Sequence, residues 1–300
     1  MDYSAEGFVT ADDGTRLFYG VQGEGETVAL VDGLGCDGFA WKYLQPHLAE
    51  THRVVHTHFR GHGRSGTPRD KTRVGIPILA SDLRRVLDHL GIAKAVVLGH
   101  SIGTQVALEL YRLAPERVRA LGLICGSAGR VTHTFHGTDI LHQILPGLIE
   151  RAERSPSLTR ALWGRVPTRL AFRLARLGRE VDALSIRAED FARYWDHVAL
   201  MDPDLFLHLL RCAGEHSAED LLSSIRVPTL VLAAERDTFT PPELAKRMAD
   251  AIPHCRHVLL PGASHAAPVE QPVTIQRILR AFLDELDERE GVGTRPSSLS

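Results

Sequence analysis

Residues 99–103 read Gly-His-Ser-Ile-Gly, directly after the apolar run Ala95–Leu98 and directly before a stretch where Val106, Ala107, Leu110 and Leu113 share one helical face. A serine between two glycines at a turn from strand to helix is the arrangement that presents a hydroxyl as a nucleophile. Side chains two residues to either side would collide with backbone, which explains Gly99 and Gly103. The same turn aims the N–H of Ile102, at a helix N-terminus, toward an oxygen bound beside Ser101. A serine hydroxyl is a weak nucleophile at neutral pH, so a base and an orienting acid must accompany it. Such groups gather beyond the carboxyl ends of parallel strands. His265 meets that criterion, lying just past the run HVLL in the loop PGASHAAP, whereas His254 and His257 sit at the entrance of the same strand. Asp237 follows the run TLVLA by four residues and precedes a helix opened by Pro241 and Pro242; Glu235 is the second choice. His100 adjoins Ser101, but successive residues through a tight turn point apart, so it reads as structural. The chain order is then Ser101, Asp237, His265, one of the recurrent orders of a Ser-Asp-His triad.

The elements that must position these groups alternate. Phe8–Thr10 and Arg16–Tyr19 flank Asp13-Gly14, a hairpin signal. Short apolar runs follow at Val28–Val31, around Val54–Val55, and at Ala95–Leu98, Leu121–Cys125, Thr229–Ala233 and His257–Leu260, with helical patterns such as Ile78–Leu90 between them. Alternation of this kind implies right-handed crossovers and a mostly parallel sheet. It stops between about Gly129 and Leu222, where the text is helical and punctuated by prolines, as expected of a lid; the arginines 165, 169, 173, 176 and 179 there read as a solvated helix face. From Glu288 the tail EREGVGTRPSSLS is polar, with disorder expected. Of the 300 residues, 44% are hydrophobic and 24% charged, and the net charge of −2 gives no field for nucleic acid or an anionic membrane. Four scattered cysteines without a CxxC pair, no leader pattern and no apolar run long enough to span a bilayer point to a soluble, unexported, cytoplasmic protein with a small-molecule substrate. Monomer and homodimer remain equally open.

The motifs GHSIG, FRGHGRSGTP at 59–68, VPTLVLAAERD and GASHAAPVEQP resemble those of the α/β-hydrolase fold superfamily, in its serine-nucleophile branch with a helical cap. The resemblance runs from about Phe8 to Leu286. It implies an α/β fold with a mostly parallel eight-stranded sheet: a core of residues 1–128 and 223–287, an all-helical cap at 129–222, and a tail at 288–300. It also implies Ser101 as nucleophile, His265 as general base and then acid, and Asp237 as the group that holds the imidazole tautomer. The second oxyanion donor would be the N–H of Leu34, with Gly33 and Gly35 letting backbone approach the substrate. The similar dehalogenases and epoxide hydrolases carry aspartate at the elbow, so serine here favours acyl transfer to water. Ester hydrolysis is the leading reading. A lactonase or carbon–carbon bond hydrolase with the same triad, and a non-catalytic binding member of the fold, are the alternatives.

Two departures from the family pattern stand out. His-Gly-X is the usual oxyanion motif, but this chain has Asp32-Gly33-Leu34, and the usual D-x-R-G-x-G becomes His58-Phe59-Arg60-Gly61-His62-Gly63. A carboxylate about 6 Å from a developing oxyanion would raise its energy by roughly 3 kcal/mol at an effective dielectric near 20. The two departures end neighbouring strands, so Asp32 and His58 are expected to form an exchanged hydrogen-bonded pair, with the imidazole stabilised in its charged form. His56 and His58, two apart on a strand, and His52 and His62 invite a metal reading. No Cys or carboxylate completes a familiar ligand spacing, so no metal and no cofactor are expected. His133, His136 and His142 could line an entry or simply be wet. Cys36 reads as a small packing residue. Trp163, Phe191, Trp195 and Met201 supply apolar material to the cap, more as core than as pocket wall.

Overall fold

Asp13-Gly14 turns the chain back on itself as its type predicts, with Gly14 at φ +87°, and β1 (Ala5–Thr10) pairs antiparallel with β2 (Arg16–Gln22). The computed structural model describes residues 2–133, 138–177, 181 and 186–291. Six further strands follow: β3 (Thr27–Val31), β4 (Arg53–Thr57), β5 (Ala95–His100), β6 (Val118–Ile124), β7 (Thr229–Ala234) and β8 (Cys255–Leu260). The eight strands lie in one sheet in the order β1-β2-β4-β3-β5-β6-β7-β8, parallel from β4 onward. The expected fold is therefore the observed one.

Helices α1 (Leu44–Leu48), α2 (Ile76–His89) and α3 (Ile102–Leu113) connect the first parallel strands. Between β6 and β7 there is no strand among the described residues. The chain there forms α4 (Ile140–Arg154), α5 (Pro156–Leu162), α6 (Thr168–Leu177), α7 (Ala188–Leu200) and α8 (Pro203–Glu215). The fold closes with α9 (Pro242–Ala251), α10 (Ala267–Glu270) and α11 (Pro272–Glu290). Helix α11 carries the chain through Glu288–Glu290 to a left-handed Gly291 at φ +68°, a helix stop. The start of the expected disordered tail is thus helical, because Leu283 and Leu286 keep α11 on the core; the expectation for 292–300 lies outside the described residues. No described helix is long and apolar enough to cross a membrane.

Strand periodicity divides the core into two layers. Ala29, Val31 and Val97 face Leu79, Leu83 and Val86 of α2, Val106 and Leu110 of α3 and Met248 of α9. Val28, Leu30, Val96 and Leu98 face Leu44 and Leu48 of α1 and Leu279, Phe282 and Leu286 of α11. Burial on both faces is why these strands read as unbroken apolar runs. From β3 the chain steps outward to β4 and then crosses to β5 on the other side of β3. Crevices open at such a reversal of strand order. The ends of β3 and β5 meet there, with Val31 beside Gly99.

One buried cation ties the loop after β4 to this frame. Arg60, 1% exposed, grips Asp82 of α2 with Nε at 2.6 Å and a terminal nitrogen at 2.7 Å, and also reaches Asp13 at 2.8 Å and Asp12 at 2.7 Å. Removing it leaves the buried Asp82 carboxylate unpaired. Arg60→Leu is expected to lower the free energy of unfolding by about 3–5 kcal/mol, and Arg60→Lys to recover only part of it for lack of a planar fork. Urea unfolding midpoints measure this, and a loss below about 1 kcal/mol would contradict it.

Candidate active site

The turn after β5 places Ser101 at φ 57°, ψ −122°, a conformation that side-chain-bearing residues rarely adopt and that costs on the order of 1–3 kcal/mol. A Cβ on Gly99 would lie 2.3 Å from the Gly103 carbonyl oxygen, and one on Gly103 would lie 2.4 Å from the Val31 carbonyl oxygen. Both glycines are therefore required by close backbone approach, as their positions predict.

The three sequence-predicted side chains converge from separate strand ends. Ser101 Oγ lies 2.9 Å from His265 Nε2, and His265 Nδ1 lies 2.8 Å from Asp237 Oδ2. Asp237 is 4% exposed, and its carboxylate also accepts from the backbone N–H of Phe239 and Thr240 and from the Thr240 hydroxyl. A carboxylate only accepts, so His265 carries its proton on Nδ1 and turns Nε2 toward the serine. Glu235, the weaker candidate, is exposed and accepts from the Gly262 N–H. The His265 loop is braced by Ser264, whose N–H and hydroxyl both donate to the buried Glu270. His100 adds a second brace, donating from Nε2 to the His265 carbonyl at 3.1 Å; burial pushes its pKa down to about 4, so it is neutral. Neither Glu270 nor this role of His100 was signalled by the sequence, because both depend on which loops meet.

Beyond β3, Cys36 N–H closes a turn onto the Gly33 carbonyl at 3.3 Å, with Gly35 left-handed at φ +72° in its third position. The loop after β3 comes against the elbow at the β3–β5 junction, where a Cβ on Gly33 would lie 3.1 Å from the Ser101 Cβ, and Ile102 opens α3 directly after the serine. Cys36 is buried, which pushes its thiol well up and suits it to packing.

Asp32 does not bond to His58. Its Oδ2 lies 2.9 Å from His56 Nε2 and accepts the Gly38 N–H at 3.0 Å; His56 Nδ1 in turn lies 2.7 Å from the Tyr3 hydroxyl. Strand alternation puts His56 and His58 on the same face, and His58 is already engaged through Nδ1 by the Arg64 N–H at 2.8 Å. The Arg64 N–H orients the His58 ring so that its Nε2, which carries the hydrogen, has no hydrogen-bond partner among the described residues, and the carboxylate is taken by His56. Burial alone would push the fully buried Asp32 carboxyl up, but His56, through charge and hydrogen bond, holds it below the usual carboxylate range. Burial lowers His58 to about 2 and His62 to about 4, so both rings are neutral.

Asp32, His56 and His58 bring ligand atoms within 4.8 Å of one another, a convergence that sequence spacing did not reveal. The donor set does not suit a cation. Arg64 fixes His58 Nδ1 as an acceptor, so the neutral ring carries its hydrogen on Nε2, and both nitrogens of His56 are taken. His52 pairs with Asp287 instead. His142 is exposed on α4, and the side chains of His133 and His136 lie outside the described residues. Arg165, Arg169, Arg173 and Arg176 are exposed as expected of a solvated face, while Arg179 lies outside the described residues.

Residues 26–272 match the family described as the alpha/beta hydrolase fold. A protein of Azorhizobium caulinodans named for carbamate hydrolysis (RutD) is 29% identical over 276 residues, which cover 91% of this chain and 96% of that one. A thermophilic esterase of Thermogutta terrifontis superposes with a TM-score of 0.77 at 24% identity, over 94% of this chain and 99% of the other. An enol-lactonase of Burkholderia xenovorans does so with 0.74 at 23%, over 93% and 100%.

The Asp32–His56 contact gives acid stability a testable sign. Asp32 binds a proton more weakly folded than unfolded, so its contribution is present above the unfolded value of about 4 and is lost as pH falls toward the folded one. Asp32→Asn is expected to unfold at lower urea than wild type at pH 7, with the gap narrowing as pH falls from about 5 to about 3. A gap that is constant across this range would refute the assignment.

Proposed function

The chain belongs to the α/β-hydrolase family, and from that premise we propose that it is a serine hydrolase cleaving carboxylic ester bonds of small, largely apolar substrates through an acyl-enzyme. The observation that carries this reading is the unbroken hydrogen-bond series Ser101–His265–Asp237, at 2.9 and 2.8 Å. Ser101 Oγ attacks the ester carbonyl while His265 Nε2 takes its proton, and Asp237 steadies the resulting imidazolium. The tetrahedral oxyanion is held by the N–H groups of Leu34 and Ile102. Collapse breaks the bond to the alcohol, which leaves with the proton from His265. Water activated by the same nitrogen then attacks the acyl group and frees the acid and Ser101.

The helices between β6 and β7 act in this reading as a cap. Ala171, Ala175 and Phe191 pack on Cys36 and Phe39 after β3 and on Ala266 and Val269 beside His265. Phe239 lies against the His265 ring with centroids 4.8 Å apart. These surroundings favour apolar acyl or alcohol groups. Asp32 need not disable the oxyanion hole, since its charge is met by the His56 ring and the Gly38 N–H on the buried side of the loop.

Ser101→Ala is expected to remove ester turnover by roughly 10⁵-fold or more, because the triad acts as a unit. Wild type should label with a fluorophosphonate at Ser101 and hydrolyse short-chain nitrophenyl esters. A folded protein that does neither would overturn the enzyme reading in favour of a binding role. A panel of esters, carbamates, lactones and diketones then ranks the carbonyl classes, and faster turnover of lactones or diketones than of any ester would replace the ester reading.

A further inference from the structure

Helix α7 directs one face at the loop that carries Leu34. Asp190, with its side chain fully buried, pairs with Lys42 Nζ at 2.5 Å and accepts the Tyr43 hydroxyl at 2.8 Å. One turn on, Arg193 donates to the carbonyl and carboxylate oxygens of Asp37 at 3.2 and 3.3 Å, and the Tyr194 ring lies 5.3 Å from that of Phe39. After another turn, His197 Nδ1 donates to the Gly35 carbonyl at 2.8 Å while its Nε2 accepts the Gly63 N–H at 2.8 Å. Val198 packs so close to Gly35 that a Cβ there would lie 2.8 Å from its methyl. Positions 190, 193–194 and 197–198 form one stripe of the helix. Its polar groups are spent on the loop at 35–43 and on Gly63.

We propose that α7 fixes the oxyanion loop: Asp190, Arg193 and His197 are positioning residues for the Leu34 N–H, so the helical insertion governs the chemical step as well as access to it. This rests on the reading of Leu34 as an oxyanion donor. The Leu34 N–H is one residue from the carbonyl that His197 holds, so releasing that carbonyl frees the turn to rotate its donor away from the developing charge. Such a donor matters more to the transition state than to the ground state, so its displacement shows in kcat.

His197→Phe keeps ring volume and removes both hydrogen bonds. With active sites titrated by a fluorophosphonate, kcat for a nitrophenyl ester is expected to fall by about tenfold to a hundredfold while KM stays within about threefold. Affinity for a trifluoromethyl ketone, which forms a tetrahedral adduct with serine, should fall by the same factor as kcat/KM. His197→Gln, with a donor and an acceptor on one carboxamide, should recover most of both losses. If His197→Phe does not fold, Arg193→Met, at a side chain 31% exposed, carries the same test with a smaller factor. An unchanged kcat per titrated site, or a loss confined to KM, overturns the role of α7. A wild-type protein that the fluorophosphonate does not label overturns the hydrolase reading, and this inference with it.

Discussion

The conformation of Ser101, at φ 57° and ψ −122°, is the constraint around which the site is built. Such a backbone is held only where its surroundings over-determine it. Here the Ser101 N–H donates to the Ile124 carbonyl of β6, and α3 begins immediately, with Gly103 pressed against the carbonyl of Val31 on β3. Three adjacent strands therefore fix one residue. The same contacts bring the end of β3 against the start of α3, which is what the proposed pairing of the Leu34 and Ile102 N–H groups about the serine requires. The strained turn and the proposed oxyanion hole are two consequences of one close approach between backbones.

The sheet edge beside this turn buries an unusual amount of polar material, and each piece is made tolerable in a different way. Asp32 keeps its charge because His56 and Gly38 donate to it. His58, His62 and His100 avoid the cost by remaining neutral, since burial disfavours the imidazolium. Arg60 keeps its charge because three aspartates surround it. Exchanging the family's usual histidine for Asp32 did not leave a bare carboxylate at the oxyanion loop. The charge was absorbed one strand away, and Tyr3, on the segment before β1, completes the chain of contacts through His56.

The helices between β6 and β7 touch this machinery at a definite place. Helix α6 contributes small residues, Ala171 and Ala175, to an apolar cluster, whereas α7 spends charged and polar side chains on backbone and side chains of the loop after β3. In the proposed reading, the segment over the site is thus joined by hydrogen bonds to the loop that supplies an oxyanion donor.

The sequence by itself determined the sheet, its mostly parallel sense and the three residues Ser101, Asp237 and His265. Each signal is local: a run of apolar residues, a glycine two places from a serine, an acid or imidazole just past a strand. Backbone sterics and strand burial act over a few residues, so they leave a readable trace. Hydrogen-bond partners across strands leave none. Sequence spacing placed His58 level with Asp32, and the register agrees, with Val31 beside Thr57. The tertiary structure nevertheless gave the carboxylate to His56, while the Arg64 N–H orients the His58 ring and leaves its Nε2 without a partner among the described residues. The same holds for Tyr3, for Glu270 behind Ser264 and for the stripe of α7. A polar group buried without a partner is costly, so each takes whichever donor or acceptor the packed chain brings within about 3 Å. That choice is made by segments distant in sequence, and only the folded chain records it.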